Sequence, residues 1–135
     1  MDSLRGGDER GDGAGVTAPW TAATQAVLRD AFSLHLSAGP AGPDAPEVEV
    51  GMVLVDGELY VRSQRGTTSQ WYRAAIRHGE GRVRVAGKTV AVRFEPAAPE
   101  AAAAVDAAYR SRYGASASFA VGRTARAATL RISPA

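Results

Sequence analysis

Glu47-Val48-Glu49-Val50-Gly51-Met52-Val53-Leu54-Val55-Asp56-Gly57-Glu58-Leu59-Tyr60-Val61-Arg62-Ser63 is the stretch from which the fold is read. Glu47 to Val55 reads as one strand, and Leu59-Tyr60-Val61 returns as its partner. Between them, Asp56-Gly57 is the strongest turn signal in the chain, because both central residues of a type I′ turn need positive φ. Residues 47–63 therefore form a β-hairpin. A second hairpin lies downstream: Arg82 to Val85 and Thr89 to Phe94 turn at Gly87-Lys88. Val83 and Val85 face one side of it, and Arg82 and Arg84 face the other.

Working outward, Phe32-Ser33-Leu34-His35-Leu36 alternates as a strand. Ala127 to Ile132 reads as the last strand, ended by Pro134. The Gly/Pro-rich stretch from Ser37 to Pro46 is a loop. Thr21 caps a helix whose apolar stripe includes Ala22, Ala26, Leu28 and Phe32. Ser69 caps a short helix, Gln70 to Arg77, with Trp71, Ala74, Ala75 and Ile76 on its buried face. Glu100 to Arg112 is the strongest helix, alanine-rich, with Val105, Ala108 and Tyr109 on one side. Ser116 to Arg123 does not resolve into either class. About six strands with helices at the edges suggest a small antiparallel barrel of the α+β class. Residues 1–18, rich in Gly, Asp and Arg, read as a disordered tail, and residues 19–135 as a single domain.

The chain has 135 residues, no cysteine and a net charge of +2. Disulfides, thiolate nucleophiles and cysteine metal sites are excluded by the missing cysteine. Two distant histidines with no carboxylate at metal spacing give no zinc or iron signature. No run approaches the roughly 20 apolar residues of a membrane span, and no secretory signal opens the chain. A cytoplasmic protein is expected, with no membrane partner and no metal. Glu58 to Arg93 carries eight basic residues against two acidic ones, a local field that favours an anionic ligand. Few exposed aromatics interleave with Arg82, Arg84 and Arg93, which argues against nucleic acid.

Three blocks carry a resemblance. They are Gly57-Glu58-Leu59-Tyr60-Val61-Arg62-Ser63 with Arg65-Gly66 and Trp71-Tyr72-Arg73; Val105-Asp106-Ala107-Ala108-Tyr109-Arg110 with Tyr113; and Ala127-Ala128-Thr129-Leu130-Arg131. Together they resemble an uncharacterised bacterial family, domain of unknown function 2255, over about residues 20–135. The middle block, about residues 50–95, is also similar to the deazaflavin-dependent nitroreductase family. That likeness implies a split β-barrel, a homodimer and a cofactor, FMN or the deazaflavin coenzyme, whose phosphate meets the loop and helix start. The chain departs from this pattern at Ala74, where an asparagine is usual. At Gly51-Met52 it departs from the uncharacterised family, which carries a bulkier, tryptophan-containing segment there.

The candidate site is Arg62, Ser63, Arg65, Gly66, Thr67, Thr68 and Ser69, followed by Trp71, Tyr72 and Arg73. Two guanidinium groups, several hydroxyls and a glycine that admits close backbone approach precede a helix start with free N–H donors. Those are the parts of a phosphate cradle. The same residues also make a solvated polar loop capped by Ser69, with Trp71 in the core and Tyr72 covering it. Tyr109 and Tyr113, four apart on one helix face, read as packing. The functional expectation is a flavin- or deazaflavin-binding oxidoreductase. The alternative is a non-enzymatic barrel domain that binds a small anionic metabolite or a partner protein.

Overall fold

The computed structural model describes residues 20–40 and 46–135. The expected tail and residues 41–45 of the expected loop lie outside them. Six antiparallel strands close into a barrel: β1 (Ser33–Ala38), β2 (Val48–Val55), β3 (Glu58–Arg62), β4 (Glu80–Val85), β5 (Lys88–Pro96) and β6 (Thr129–Pro134). Their order around the barrel is β1-β2-β3-β6-β5-β4. Closure comes from β4 pairing back onto β1, with Leu36 opposite Val83. The fold is thus the expected α+β barrel.

The first hairpin turns where expected, with φ of 52° at Asp56 and 79° at Gly57. The second turns one residue early, at Ala86 and Gly87, so that Lys88 already belongs to β5. Packing decides this register. A Cβ on Gly81 would lie 2.8 Å from the Phe94 ring and 2.1 Å from the Ser37 carbonyl oxygen. Gly81, opposite Val92, therefore leaves the room into which Phe94 fits. Ser37 and Ala38, expected in the loop, extend β1 and pair with Arg82 and Gly81.

Helix α1 (Ala22–Asp30) is capped by Thr21, whose hydroxyl accepts from the Thr24 N–H. Of its expected stripe only Leu28 packs. Ala22 and Ala26 are exposed, and Phe32 lies beyond the helix at 65% exposure. Leu28 carries the contact, flanked by Val27 and Ala31. Trp20 adds a second anchor: its ring is buried and its Nε1 donates to the Ile132 carbonyl at 3.0 Å. A short helix lying tangent to a barrel touches it along a narrow line, so one leucine and one tryptophan replace a stripe.

Helix α2 (Gln70–His78) is capped by Ser69 and ended by Gly79. Ala75 is its buried residue, Trp71 and Tyr72 pack half-buried on the barrel core, and Ile76 is exposed. Helix α3 (Ala102–Tyr113) follows a 3₁₀ turn at Pro99–Ala101. The undecided segment forms a 3₁₀ turn (Gly114–Ala117), then α4 (Ser118–Val121) and α5 (Arg123–Arg126).

Two cores result. The barrel interior holds Leu34, Leu36, Met52, Leu59, Val61, Val83, Val92, Phe94, Leu130 and Ile132. The outer one sits between α3–α4 and the outward face of β2–β3: Val53, Tyr60, Val105, Tyr109, Ala117 and Ala120. Each fully buried leucine contributes about 1.5–3 kcal/mol. Among the described residues no helix is long and apolar enough to cross a membrane.

Candidate functional site

β3 runs beside β2 only as far as Val61, which faces Met52. Arg62 then pairs with Thr129 of β6. The start of β2 is left without a strand neighbour on that side among the described residues, and a groove of about 1180 Å³ opens there. One wall is Glu47 and the start of β2, Val48 to Gly51. The other is the loop after β3 and the exposed side of α2, with Arg65, Thr68, Gln70, Arg73 and Arg77; Trp71 and Phe119 also line it.

The groove gathers seven of the ten expected site residues: Arg62, Ser63, Arg65, Thr68, Ser69, Trp71 and Arg73. Gly66, Thr67 and Tyr72 do not line it. Gly66 (φ 76°) is buried against α5, where an added Cβ would lie 2.6 Å from Thr124 Cγ2. Its N–H, expected to approach a ligand, donates instead to the Ser63 carbonyl at 2.9 Å.

Of the two guanidinium groups expected in the cradle, only that of Arg65 is open to solvent. Arg62 Nε donates to Thr129 Oγ1 at 2.9 Å, and its other nitrogens reach Asp106 and the carbonyls of Ala120 (2.8 Å) and Ala102 (3.2 Å). Its side chain is fully buried, beside the Tyr109 ring. Asp106 on α3 also receives Arg126 Nε at 3.2 Å. Four of the five guanidinium donors are thus engaged within the protein.

Other cations are open to a ligand. Arg65, Arg73 and Arg77 are exposed on one wall, and among the described residues none of them joins an ion pair. Arg73 and Arg77 are four apart, so α2 presents both on the same side. Ser63 Oγ, 1% of the residue being exposed, has no hydrogen-bond partner among the described residues. A buried hydroxyl left unpaired costs about 1–3 kcal/mol. Across the groove, Arg84 holds the Glu47 carboxyl below its usual range, chiefly through a two-pronged hydrogen bond.

Sequence reading missed Arg77, Phe119 and the whole β2 wall. The i, i+4 spacing of Arg73 and Arg77 was a usable signal. The β2 wall was not legible, because it depends on where β3 diverges. Among the described residues no group of His, Asp and Glu could hold a metal ion.

No curated protein matches the chain significantly. Solved structures share its fold. One is a conserved hypothetical protein from Mycobacterium tuberculosis, 14% identical, with a TM-score of 0.57 over 86% of this chain and 79% of that one. Another is described as an FAD-binding protein from Mesorhizobium loti, 19% identical, with a TM-score of 0.57 over 89% and 94%. A third is a protein of unknown function from Agrobacterium tumefaciens, 14% identical, with a TM-score of 0.56 over 88% of this chain and 57% of that one. At these identities the likeness establishes the barrel and nothing finer. The sequence match is more specific: with residues 29–132 fitting the family's profile, the chain belongs to the uncharacterised proteins conserved in bacteria known as domain of unknown function 2255.

Proposed function

We propose that the groove binds a flavin-type cofactor, FMN or the deazaflavin coenzyme, and that the protein is an oxidoreductase. The observation that carries this is the basic wall: Arg65, Arg73 and Arg77, without ion-pair partners among the described residues, beside the unpartnered Ser63 Oγ in a groove of about 1180 Å³. The groove is somewhat larger than the roughly 300–1,000 Å³ of typical small-molecule sites, which leaves room for a ring system with a phosphorylated side chain. The arginines suit the phosphate through planar, two-pronged hydrogen bonding. Trp71 and Phe119 supply apolar surface for the ring. A bound flavin would supply hydride chemistry. The chain's part is to hold the ring, neutralise the phosphate and exclude water. The FAD-binding description of a barrel neighbour supports the same reading.

The test is a thermal-shift titration with FMN, FAD and the deazaflavin coenzyme, read beside the absorbance spectrum. Saturable stabilisation by one of them is expected, about 2.7 kcal/mol at a hundred times Kd. Arg73→Glu with Arg77→Glu should abolish it while leaving the melting point of the free protein within a few degrees. No shift with any of the three would overturn the reading.

The second reading is a non-enzymatic domain for a small anionic metabolite. The Arg62 guanidinium and the Gly66 N–H, two parts of the expected cradle, are both engaged inside the protein. Stabilisation by pyrophosphate equal to that by FMN would favour it.

A further inference from the structure

β2 carries an edge that no strand among the described residues covers. Along an antiparallel strand, successive residues turn their N–H and C=O to opposite sides. Val55 and Glu58 flank the two-residue turn and pair across it, as do Val53 and Tyr60 two residues on. Odd-numbered residues of β2 therefore face β3, and even-numbered ones face β1. Two contacts agree. The Met52 N–H donates to Tyr113 Oη at 2.9 Å, and that hydroxyl lies 2.5 Å from the Phe32 carbonyl on the β1 side. On the other side, the Gly51 carbonyl accepts from the Tyr109 hydroxyl at 3.1 Å.

β3 departs after Val61. The N–H and C=O of Glu49 and the N–H of Gly51 thus point away from β1 without a strand partner among the described residues. Both residues line the groove, as do Ser63 and the three arginines of the facing wall. Unpaired edge groups of this kind recruit hydrogen-bonding partners.

We infer that this edge reads the ring of the ligand: Glu49 offers an N–H and a C=O side by side, and these pair with the C=O and N–H of a planar cyclic imide. The arginines opposite then take the anionic tail. The inference rests on the flavin-type reading, since the pyrimidine part of flavins and deazaflavins carries that imide. It adds which end of the ring is recognised and by which atoms. A ligand with an anionic tail but no imide would satisfy the arginines and leave the β2 edge unpaired.

The experiment compares FMN with its N3-methyl analogue by isothermal titration, on the wild type, Glu49→Pro and Glu49→Ala. Methylation removes the ring donor and should weaken binding about tenfold, the worth of one hydrogen bond. Of the backbone groups, proline at 49 removes only the groove-facing N–H, because that position makes no ladder bond to β1, and edge positions of this kind tolerate it; the carboxylate that accepts from Ser33 Oγ is lost in the proline and alanine variants alike. It should weaken FMN about tenfold, whereas alanine, which keeps the N–H, should bind within twofold of the wild type. Equal affinity for FMN and N3-methyl FMN would overturn the ring-edge assignment and leave the flavin reading standing. No binding of FMN, FAD or the deazaflavin coenzyme, with retained binding of pyrophosphate, would overturn both. Should Glu49→Pro fail to fold, the analogue comparison on the wild type decides.

Discussion

Arg62 shows how a residue type can be read correctly as important and wrongly as to its task. Its position at the end of a strand, before a polar loop, suggests a phosphate ligand. In the fold it is the centre of a buried polar network, with Asp106, Thr129 and two carbonyls around it. A buried ion pair that loses one partner leaves an uncompensated charge. Arg62→Met should therefore lower stability by about 3–5 kcal/mol in urea unfolding. The double variant Arg62→Met, Asp106→Leu should recover much of that, because both charges go. A single variant within 1 kcal/mol of the wild type would show that the network contributes little. Gly66 is also misread as a ligand-facing glycine. Its positive φ and the contact at Thr124 predict that Gly66→Ala costs about 1–3 kcal/mol, with partial rescue by Thr124→Gly.

At the scale of elements, the two hairpins differ in how well their turns suit their residues. Asp56-Gly57 is a favoured type I′ pair. Ala86-Gly87 is not: Ala86 holds φ of 50°, where a Cβ costs about 1–2 kcal/mol. Ala86→Asn should accordingly raise the melting temperature, by an amount corresponding to about 1 kcal/mol. Gly57→Ala should lower it by a similar amount. A calorimetric scan of both variants checks the sign; a destabilising Ala86→Asn would contradict the turn assignment. Helix α2 couples this level to function. It packs on the barrel through Ala75 and offers Arg73 and Arg77 to the groove, so charge reversals there should alter ligand binding and leave folding almost intact.

For the whole molecule, β2 and β3 form the wall between the two cores, and α3 closes the outer one against it. Tyr109 is fully buried, stacks near Tyr113 at 5.6 Å between ring centroids, and donates to the β2 backbone. Burial, and next the neighbouring Tyr113, push its phenol well above the usual tyrosine range. The sign of the consequence is definite. In the unfolded chain tyrosine ionises near pH 10, while in the folded protein Tyr109 keeps its proton. Its stabilisation is complete below about pH 10 and declines as the pH rises from there, by about 1.4 kcal/mol per unit. Unfolding free energies measured between pH 8 and 11.5 should show this fall, and Tyr109→Phe should flatten it. An unchanged slope in that variant would assign the fall to other groups, such as Tyr60, whose phenol burial also raises.

Much of this was legible along the chain. Asp56-Gly57, the alternation around Val83 and Val85, the Ser69 cap and the alanine-rich α3 are local patterns, and turns, caps and periodicity act within a few residues. The family resemblance was equally local, carried by short ordered blocks. Tertiary structure alone decided the rest, because it depends on residues distant in sequence meeting. The Phe94 ring over Gly81 set the second turn; Asp106, 44 positions from Arg62, drew that guanidinium out of the cradle; and the departure of β3 toward β6 left the β2 edge open. The chain by itself determined which segments are strands and where positive charge gathers. Which of those charges face a ligand followed only from closing the barrel, since closure settles which side chains must be buried and paired.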